Sequence, residues 1–366
     1  MTSSCRYDLV VFDLDGVVYV GRRAVPGAAE AIRALLADGV HVAYATNNAS
    51  RRVGEVAELL NSLGVPARPE EVVTSARATA ELLAADLPPG APVLAVGAPA
   101  LREELAAAGL TPVTSAQERP VAVVQGYGPE VGWALLAEAC VAIRAGARWV
   151  ATNTDATMPS PRGPLPGNGA LVAAVRTALG GREPDTVVGK PEPVLLTTAA
   201  GHRGDGRVLV VGDRLDTDIE GARRAGMDSL LVLSGVTTAA ELLAAPVQRR
   251  PTHVAADCSA LTASVQGCLL PEFRDGEAVA DGWRVTVDDE HLVLARSDSA
   301  VRIPSFLGNL TGERAGERAG GALRALAPAA WATPGWSAIR AEDAAAEEAL
   351  TALGLGRYAG WVVPAP

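Results

Sequence analysis

The sequence predicts an α/β protein built around a parallel sheet, and three observations carry that reading. Short β-rich runs alternate with amphipathic helical patterns through residue 265, the signature of repeated βαβ units. Several helical patterns stop at a glycine, among them Gly39, Gly64 and Gly109, where a residue without a Cβ can turn left-handed and end the helix. The 366-residue chain is 49% hydrophobic and 20% charged, a soluble, globular composition with length for two or three domains.

In chain order, strands are predicted over 8–12, 40–45, 93–96, 121–124, 148–152, 207–211, 229–233 and 252–256. Helices are predicted over 27–38, 51–63, 99–108, 130–145, 168–179 and 218–225. The first apolar run, in DLVVFDLDG, is bounded by Asp8 and Asp13 and reads as a buried strand, not as a secretory signal. No stretch reaches membrane-spanning length. The helix over 130–145 carries Trp133, Leu135, Leu136 and Ile143, a stripe suited mainly to covering a sheet. The Pro/Gly-rich segment 150–171 leads into the next helix with Asn168 as its cap. Beyond about 265 the text changes. Four of the six tryptophans (Trp283, Trp331, Trp336, Trp361) fall there, with a hairpin-like WRVTVDDEHLVLAR and a helical AEDAAAEEALTALG, which predicts an appended α+β unit.

The net charge of −10, with no clustered basic run, argues against nucleic acid or an anionic membrane surface as partner, while leaving room for a small anion in a local positive pocket. The four cysteines, Cys5, Cys140, Cys258 and Cys268, are scattered without zinc-ligand spacing and read as reduced, cytoplasmic thiols.

The chemistry-bearing residues stand at strand ends. The first strand runs into Asp13 and Asp15, and residues two apart on an extended chain project to one side. Two carboxylates held that close repel unless a cation lies between them. A second acidic group, Asp213, Asp216 and Asp218, follows the apolar run RVLVVG. Ligands of open α/β sheets bind outside the carboxyl ends of the strands, where both groups would meet. A site of carboxylate oxygens without imidazole points to Mg²⁺.

A third apolar run ends in Thr46, Asn47 and Asn48, which offer a hydroxyl, two amides and the backbone N–H groups of a helix start to an anion. Lys190 would complete that cradle. It is the only lysine in the chain, the other 31 of its 32 basic residues being arginines. A compact ammonium can reach a phosphate and a carboxylate together, where the wider guanidinium fork needs a different pocket.

The set Asp13-Leu14-Asp15-Gly16-Val17, Thr46-Asn47-Asn48, Lys190, and Gly212-Asp213 with Asp218 resembles the four motifs of the haloacid dehalogenase superfamily of phosphatases. Only 33 positions separate Asp13 from Thr46, but 142 separate Asn48 from Lys190, so the cap domain falls between the second and third motifs. This is similar to the C2-capped group that includes p-nitrophenyl, phosphoglycolate and pyridoxal phosphate phosphatases. The segment 150–171, with its ATN-x-D and PG-x-G stretches, matches the exit of such a cap, and the resemblance implies that Asn153 to Arg162 face the core and select the leaving group. The implied organisation is a Rossmann-like core in two parts, 1–85 and 185–265, an α/β cap over 86–184, and a C-terminal extension over 266–366.

By the same resemblance, Asp13 is the nucleophile and forms an aspartyl-phosphate, and Asp15 protonates the leaving alkoxide and then activates water. Mg²⁺ is held by Asp13, the backbone carbonyl of Asp15 and Asp213. Asp218 orients a metal-bound water or Lys190. Thr46, Asn47, Asn48 and Lys190 surround the phosphate oxygens.

Two rivals use related residues. A phospho-receiver domain has no reason for a large cap or for Asp-x-Asp on its first strand, and superfamily phosphomutases usually carry the cap between the first two motifs, where this chain has no room. The substrate implied is a small phosphorylated metabolite, with few aromatic residues in 86–184 and none in 150–171 to stack on a planar ring. The Ala- and Arg-rich composition and the extra C-terminal unit are similar to glycerol 3-phosphate phosphatases of actinobacteria, with phosphoglycolate, p-nitrophenyl phosphate and pyridoxal phosphate as alternatives. In those relatives the tail resembles the GNAT acetyltransferase fold. The best window here for its pyrophosphate loop, Glu317 to Ala322, opens on Glu where a cationic or neutral residue belongs, so the tail is expected to be non-catalytic, packing on the core or serving assembly. The resemblance also allows a homodimer through the cap.

Overall fold

The strand Leu9–Phe12 is buried along its whole length because its side chains serve two apolar layers at once. Val10 and Phe12 join Val42, Tyr44, Leu209 and Val211 on one face, and Leu9 and Val11 join Ala43, Ala45 and Val210 on the other. The computed structural model describes residues 7–158, 160, 162–201, 206–263, 265–297 and 313–355. Six parallel strands form the core sheet in the order His253–Ala255, Asp228–Val232, Val208–Gly212, Leu9–Phe12, His41–Thr46, Val72–Thr74. The chain leaves the central strand Leu9–Phe12 toward one edge and later returns to its other side, which opens a crevice at the carboxyl ends between it and Val208–Gly212.

A second parallel sheet, in the order Thr186–Val187, Arg148–Ala151, Ala122–Gln125, Pro92–Val96, Thr111–Val113, forms the cap. Its last strand lies just past residue 184, the expected exit, because Thr186 and Val187 still pair with Val150 and Ala151. The helices Trp133–Arg144 and Asn168–Ala178 cover one face. Ile143 is buried and Leu135 and Leu136 half-buried against that sheet, while Trp133 is 84% exposed. The helix Ser75–Asp86 lies between the two sheets, where Ala76, Ala80 and Leu83 fuse the apolar layers of core and cap.

All eight predicted strands are present, each within one residue of its expected ends. The helices differ more. The stretch predicted over 218–225 is a wide π-helical turn, Leu215–Ile219, followed by Glu220–Arg224. The helix Val194–Gly201 is only eight residues long with no segregated apolar stripe, and the strand Val72–Thr74 only three residues long, so neither shows a periodicity in the sequence. Asn168 is not a helix cap: Gly167 holds that position, and the Asn168 amide donates instead to the carbonyls of Gln125 and Asn153 at 3.1 and 2.7 Å.

The C-terminal unit has a sheet of Glu277–Ala280, Trp283–Asp288, His291–Arg296 and Ala338–Ala341, antiparallel except for its last pair, with the helices Glu313–Ala332 and Ala344–Ala352. It shares one apolar cluster with the core, in which Trp283, Leu323 and Leu326 join Leu231, Leu242 and Val254. Trp331 Nε1 donates to the Leu242 carbonyl at 3.0 Å and Arg324 Nη1 to that of Val254 at 3.1 Å. The window Glu317 to Ala322 lies inside the helix Glu313–Ala332, where backbone amides serve the helix and not a ligand loop. Trp361 and Cys5 lie outside the described residues. Among the described residues no helix is long and apolar enough to cross a membrane.

Candidate active site

Asp13 and Asp213 are the first residues past two adjacent parallel core strands, which delivers both to the crevice at the carboxyl ends, Asp213 one residue beyond the position level with Asp13. The π-helical turn after Asp213 swings Asp218 back beneath them, and these three carboxylates each place an oxygen within 4.8 Å of the others. Lys190 reaches the same point from the cap's return. Its Nζ donates to Asp13 Oδ1 at 2.5 Å and to the Ala45 carbonyl at 3.2 Å and forms an ion pair with Asp218 Oδ1 at 2.6 Å, so three oxygens converge on the ammonium. The side chain is only 3% exposed.

Burial by itself would lower the Lys190 pKa, but the Asp13 and Asp218 carboxylates outweigh it and hold the group above its ordinary value. Burial pushes the Asp13 carboxyl well up, with Lys190 opposing and Asp218 and Asp213 adding to the rise. Asp213 is pushed up to about 6, first by burial and then by Asp218. Its Oδ2 accepts from the Val236 N–H at 2.7 Å, whereas its buried Oδ1 has no hydrogen-bond partner. Three carboxylates against one ammonium, with an orphaned oxygen among them, are the donor set of a hard divalent cation, and they fit Mg²⁺.

Asp15 stands at the mouth, outside the three-carboxylate cluster and exposed on one side. Burial of its other side raises its carboxyl above the ordinary range, against the pull of Arg51 and Lys190. Gly16 follows in a left-handed conformation (φ 90°), and a Cβ there would collide with Asp213 Oδ2.

Thr46 is buried, and its Oγ1 accepts from the backbone N–H of Asn48 at 3.2 Å. Asn48 Oδ1 is taken by the N–H and hydroxyl of Ser50, both at 2.8 Å, which leaves the Nδ2 end to face other groups. Asn47 departs from the sequence expectation. Its Oδ1 accepts from the Lys190 N–H at 2.8 Å, and its Nδ2 donates to the Lys190 carbonyl at 3.0 Å and toward Asp155 at 3.2 and 3.3 Å. The Asn47 side chain therefore belongs to the frame of the site; only its backbone is left for an anion.

The structure brings Asp13, Lys190, Asp213 and Asp218 into direct contact or close approach, with Asp15, Thr46, Asn47 and Asn48 around them. From the 150–171 segment, Asn153 and Asp155 reach the core, while Ser160 and Arg162 close a local turn through Ser160 Oγ. Sequence reasoning held Asp155 only as a member of the ATN-x-D stretch expected to select the leaving group, and did not single out Arg51 or the loop Ser234-Gly235-Val236 that wraps Asp213. The last had a signal: Ser-Gly directly after the apolar run 229–233, on the strand next to that of Asp213.

Comparison with known proteins agrees with this geometry. A family model described as haloacid dehalogenase-like hydrolase matches residues 10–111, and a second, HAD-hydrolase-like, matches 187–261. The chain is 52% identical over 256 residues to a D-glycerol 3-phosphate phosphatase of Mycobacterium tuberculosis, covering 70% of this chain and 71% of that one. It is 38% identical over 240 residues to an acid sugar phosphatase of Staphylococcus saprophyticus, covering 64% and 90%. The crystal structure of a Mycobacterium tuberculosis glycerol phosphate phosphatase in complex with magnesium superposes with a TM-score of 0.82 at 42% identity, covering 97% of this chain and 99% of that one. A p-nitrophenyl phosphatase from Archaeoglobus fulgidus superposes with a TM-score of 0.65 at 31% identity, covering 70% of this chain and 98% of that one. The chain belongs to the haloacid dehalogenase-like hydrolases and is a phosphatase of that family, with a carboxylate site that fits Mg²⁺ and its cap inserted between the second and third motifs.

Proposed function

We propose that this phosphatase hydrolyses glycerol 3-phosphate to glycerol and phosphate. The observation that carries the reading is the 52% identity to a D-glycerol 3-phosphate phosphatase over a span that includes core and cap. The C-terminal unit adds support, since a glycerol phosphate phosphatase matches this chain over 97% of its length while the p-nitrophenyl phosphatase matches 70%. Small size and the absence of aromatic side chains along 150–171 suit a polyol phosphate better than a planar one.

Asp13 is the nucleophile. Among its neighbours Lys190 is the group that favours the ionised form which attack on phosphorus requires, offsetting the effect of burial. As the new bond forms from Asp13, the bond from phosphorus to the glycerol oxygen breaks, and Asp15 gives that oxygen its proton. The raised carboxyl of Asp15 suits it to that task. Asp15 then takes a proton from the water that cleaves the aspartyl-phosphate, so both residues return to their starting states. Asp13, Asp213 and the backbone carbonyl of Asp15 would hold Mg²⁺, which when bound offsets the repulsion between carboxylate and phosphate. Thr46, Asn48 and the backbone at Asn47 receive the phosphate oxygens, and Asp218 holds Lys190 in place. A reducing, cytoplasmic setting belongs to the same proposal, since Cys140, Cys258 and Cys268 are free and buried.

The test is phosphate release with Mg²⁺ from glycerol 3-phosphate, phosphoglycolate, pyridoxal phosphate, nucleotides, sugar phosphates and p-nitrophenyl phosphate, with Asp13→Asn as the blank. The highest kcat/KM is expected for glycerol 3-phosphate; a higher value for a sugar phosphate or phosphoglycolate would replace it as the substrate.

A further inference from the structure

The core, the cap and the lysine-bearing segment meet at one amide, the side chain of Asn47. Its Oδ1 is fixed by the Lys190 N–H at 2.8 Å, which orients the group: Nδ2 then has one proton for the Lys190 carbonyl at 3.0 Å and one for the Asp155 carboxylate at 3.2 Å. The Asn47 backbone carbonyl accepts from Asn153 Nδ2 at 2.7 Å, so the cap's exit segment grips this residue at two points. Gly189 permits the approach. A Cβ there would lie 2.7 Å from Asn47 Oδ1 and 2.7 Å from the Thr152 carbonyl, both too close.

We propose that Asp155 is a positioning residue for the phosphatase reaction, acting through Asn47 on Lys190. The inference rests on the proposed function. Asp155 supplies the acceptor that keeps the Asn47 amide in the one orientation able to bridge both backbone groups of Lys190, and the seating of the cap thereby sets where the ammonium stands against Asp13. Without that acceptor, one Nδ2 proton in a half-buried junction is unpaired, and only the two bonds to Lys190 are left to hold the amide, with nothing tying it to the cap through this side chain. The contribution is geometric, and a displacement of about 1 Å in a reacting group costs up to about a hundredfold in rate.

The experiment compares Asp155→Ala, Asp155→Asn and Asp155→Glu in the full chain, with kcat and KM measured on glycerol 3-phosphate and p-nitrophenyl phosphate and thermal unfolding recorded for each. Asp155→Asn keeps an acceptor oxygen in place and is expected to stay within about threefold of the parent, whereas Asp155→Ala and Asp155→Glu lose about ten- to a hundredfold in kcat at little changed KM. The loss should be by the same factor on both substrates. An unaffected Asp155→Ala, an Asp155→Asn as slow as Asp155→Ala, or a changed ratio between the two substrates would overturn the proposal, the last by making Asp155 a contact of the leaving group. If Asp155→Ala unfolds below assay temperature, the contrast between the Asn and Glu variants decides. Parent protein inert toward every phosphomonoester would instead overturn the proposed function.

Discussion

Lys190 Nζ and Asp218 Oδ1 lie 2.6 Å apart in a pocket where the two side chains are 3% and 1% exposed. Breaking such a buried pair leaves a charge without a partner, a cost well above that of a surface ion pair. Lys190 also donates to Asp13 and to the Ala45 carbonyl, so three oxygens from separate segments converge on one nitrogen.

Lys190→Arg should therefore fold yet lose at least about a hundredfold in kcat, because the guanidinium fork cannot meet all three acceptors from one point. Circular dichroism and phosphate release on the purified variant check this, and near-normal turnover would show that charge alone suffices.

The crowding of Asp13, Asp213 and Asp218 predicts that Mg²⁺ stabilises the fold as well as serving the reaction. At about a hundred times its dissociation constant a ligand of the native state adds about 2.7 kcal/mol, which raises the Tm of the parent protein. Asp213→Asn should abolish that rise. Gly16→Ala should weaken it, since the added Cβ meets Asp213 Oδ2 and the left-handed backbone strains any side chain. Thermal scans with Mg²⁺ and with EDTA give the comparison independently of activity.

His253 is 2% exposed, with Nδ1 2.8 Å from Thr252 Oγ1, and burial lowers its pKa below the usual 6.5. The unfolded chain then binds a proton on this ring at a higher pH than the folded one does. Its contribution to stability is complete above about 6.5 and is lost as the pH falls toward the depressed folded value. Urea midpoints at successive pH values should fall more steeply on acidification for the parent than for His253→Asn; parallel curves would remove His253 from the account.

Trp331→Phe keeps an aromatic ring beside Arg250, whose guanidinium lies 5.0 Å from the Trp331 ring, but deletes the bond from Nε1 to the Leu242 carbonyl. The expected loss is about 1 kcal/mol of stability with kcat unchanged. A large fall in kcat would connect the C-terminal unit to the reaction.

The residues that carry the chemistry were legible in the sequence because a parallel α/β sheet delivers its ligand site at strand ends. Asp13, Thr46 and Asp213 each follow an apolar run directly, so finding the strands also found the site. Lys190 stood out as the single lysine of the chain. The place of the cap was readable from spacing once the resemblance had identified the motifs, since the gap between Asn48 and Lys190 holds enough chain for a second sheet.

Tertiary structure decided what those residues do to one another. Nothing local to Asn47 says that its amide is spent on Lys190 and Asp155, because those partners lie 143 and 108 residues away. The long helix Glu313–Ala332 contains Gly320, Gly321 and Pro328, which weaken a local helical signal; packing supplies the stability, as where Gly321 lets the helix close on Trp283. Strand ends and motif order are properties of short stretches and survive in one dimension. Hydrogen-bond partners, burial and the resulting charge balance depend on which distant segments the fold brings into contact, and those only the assembled sheets specify.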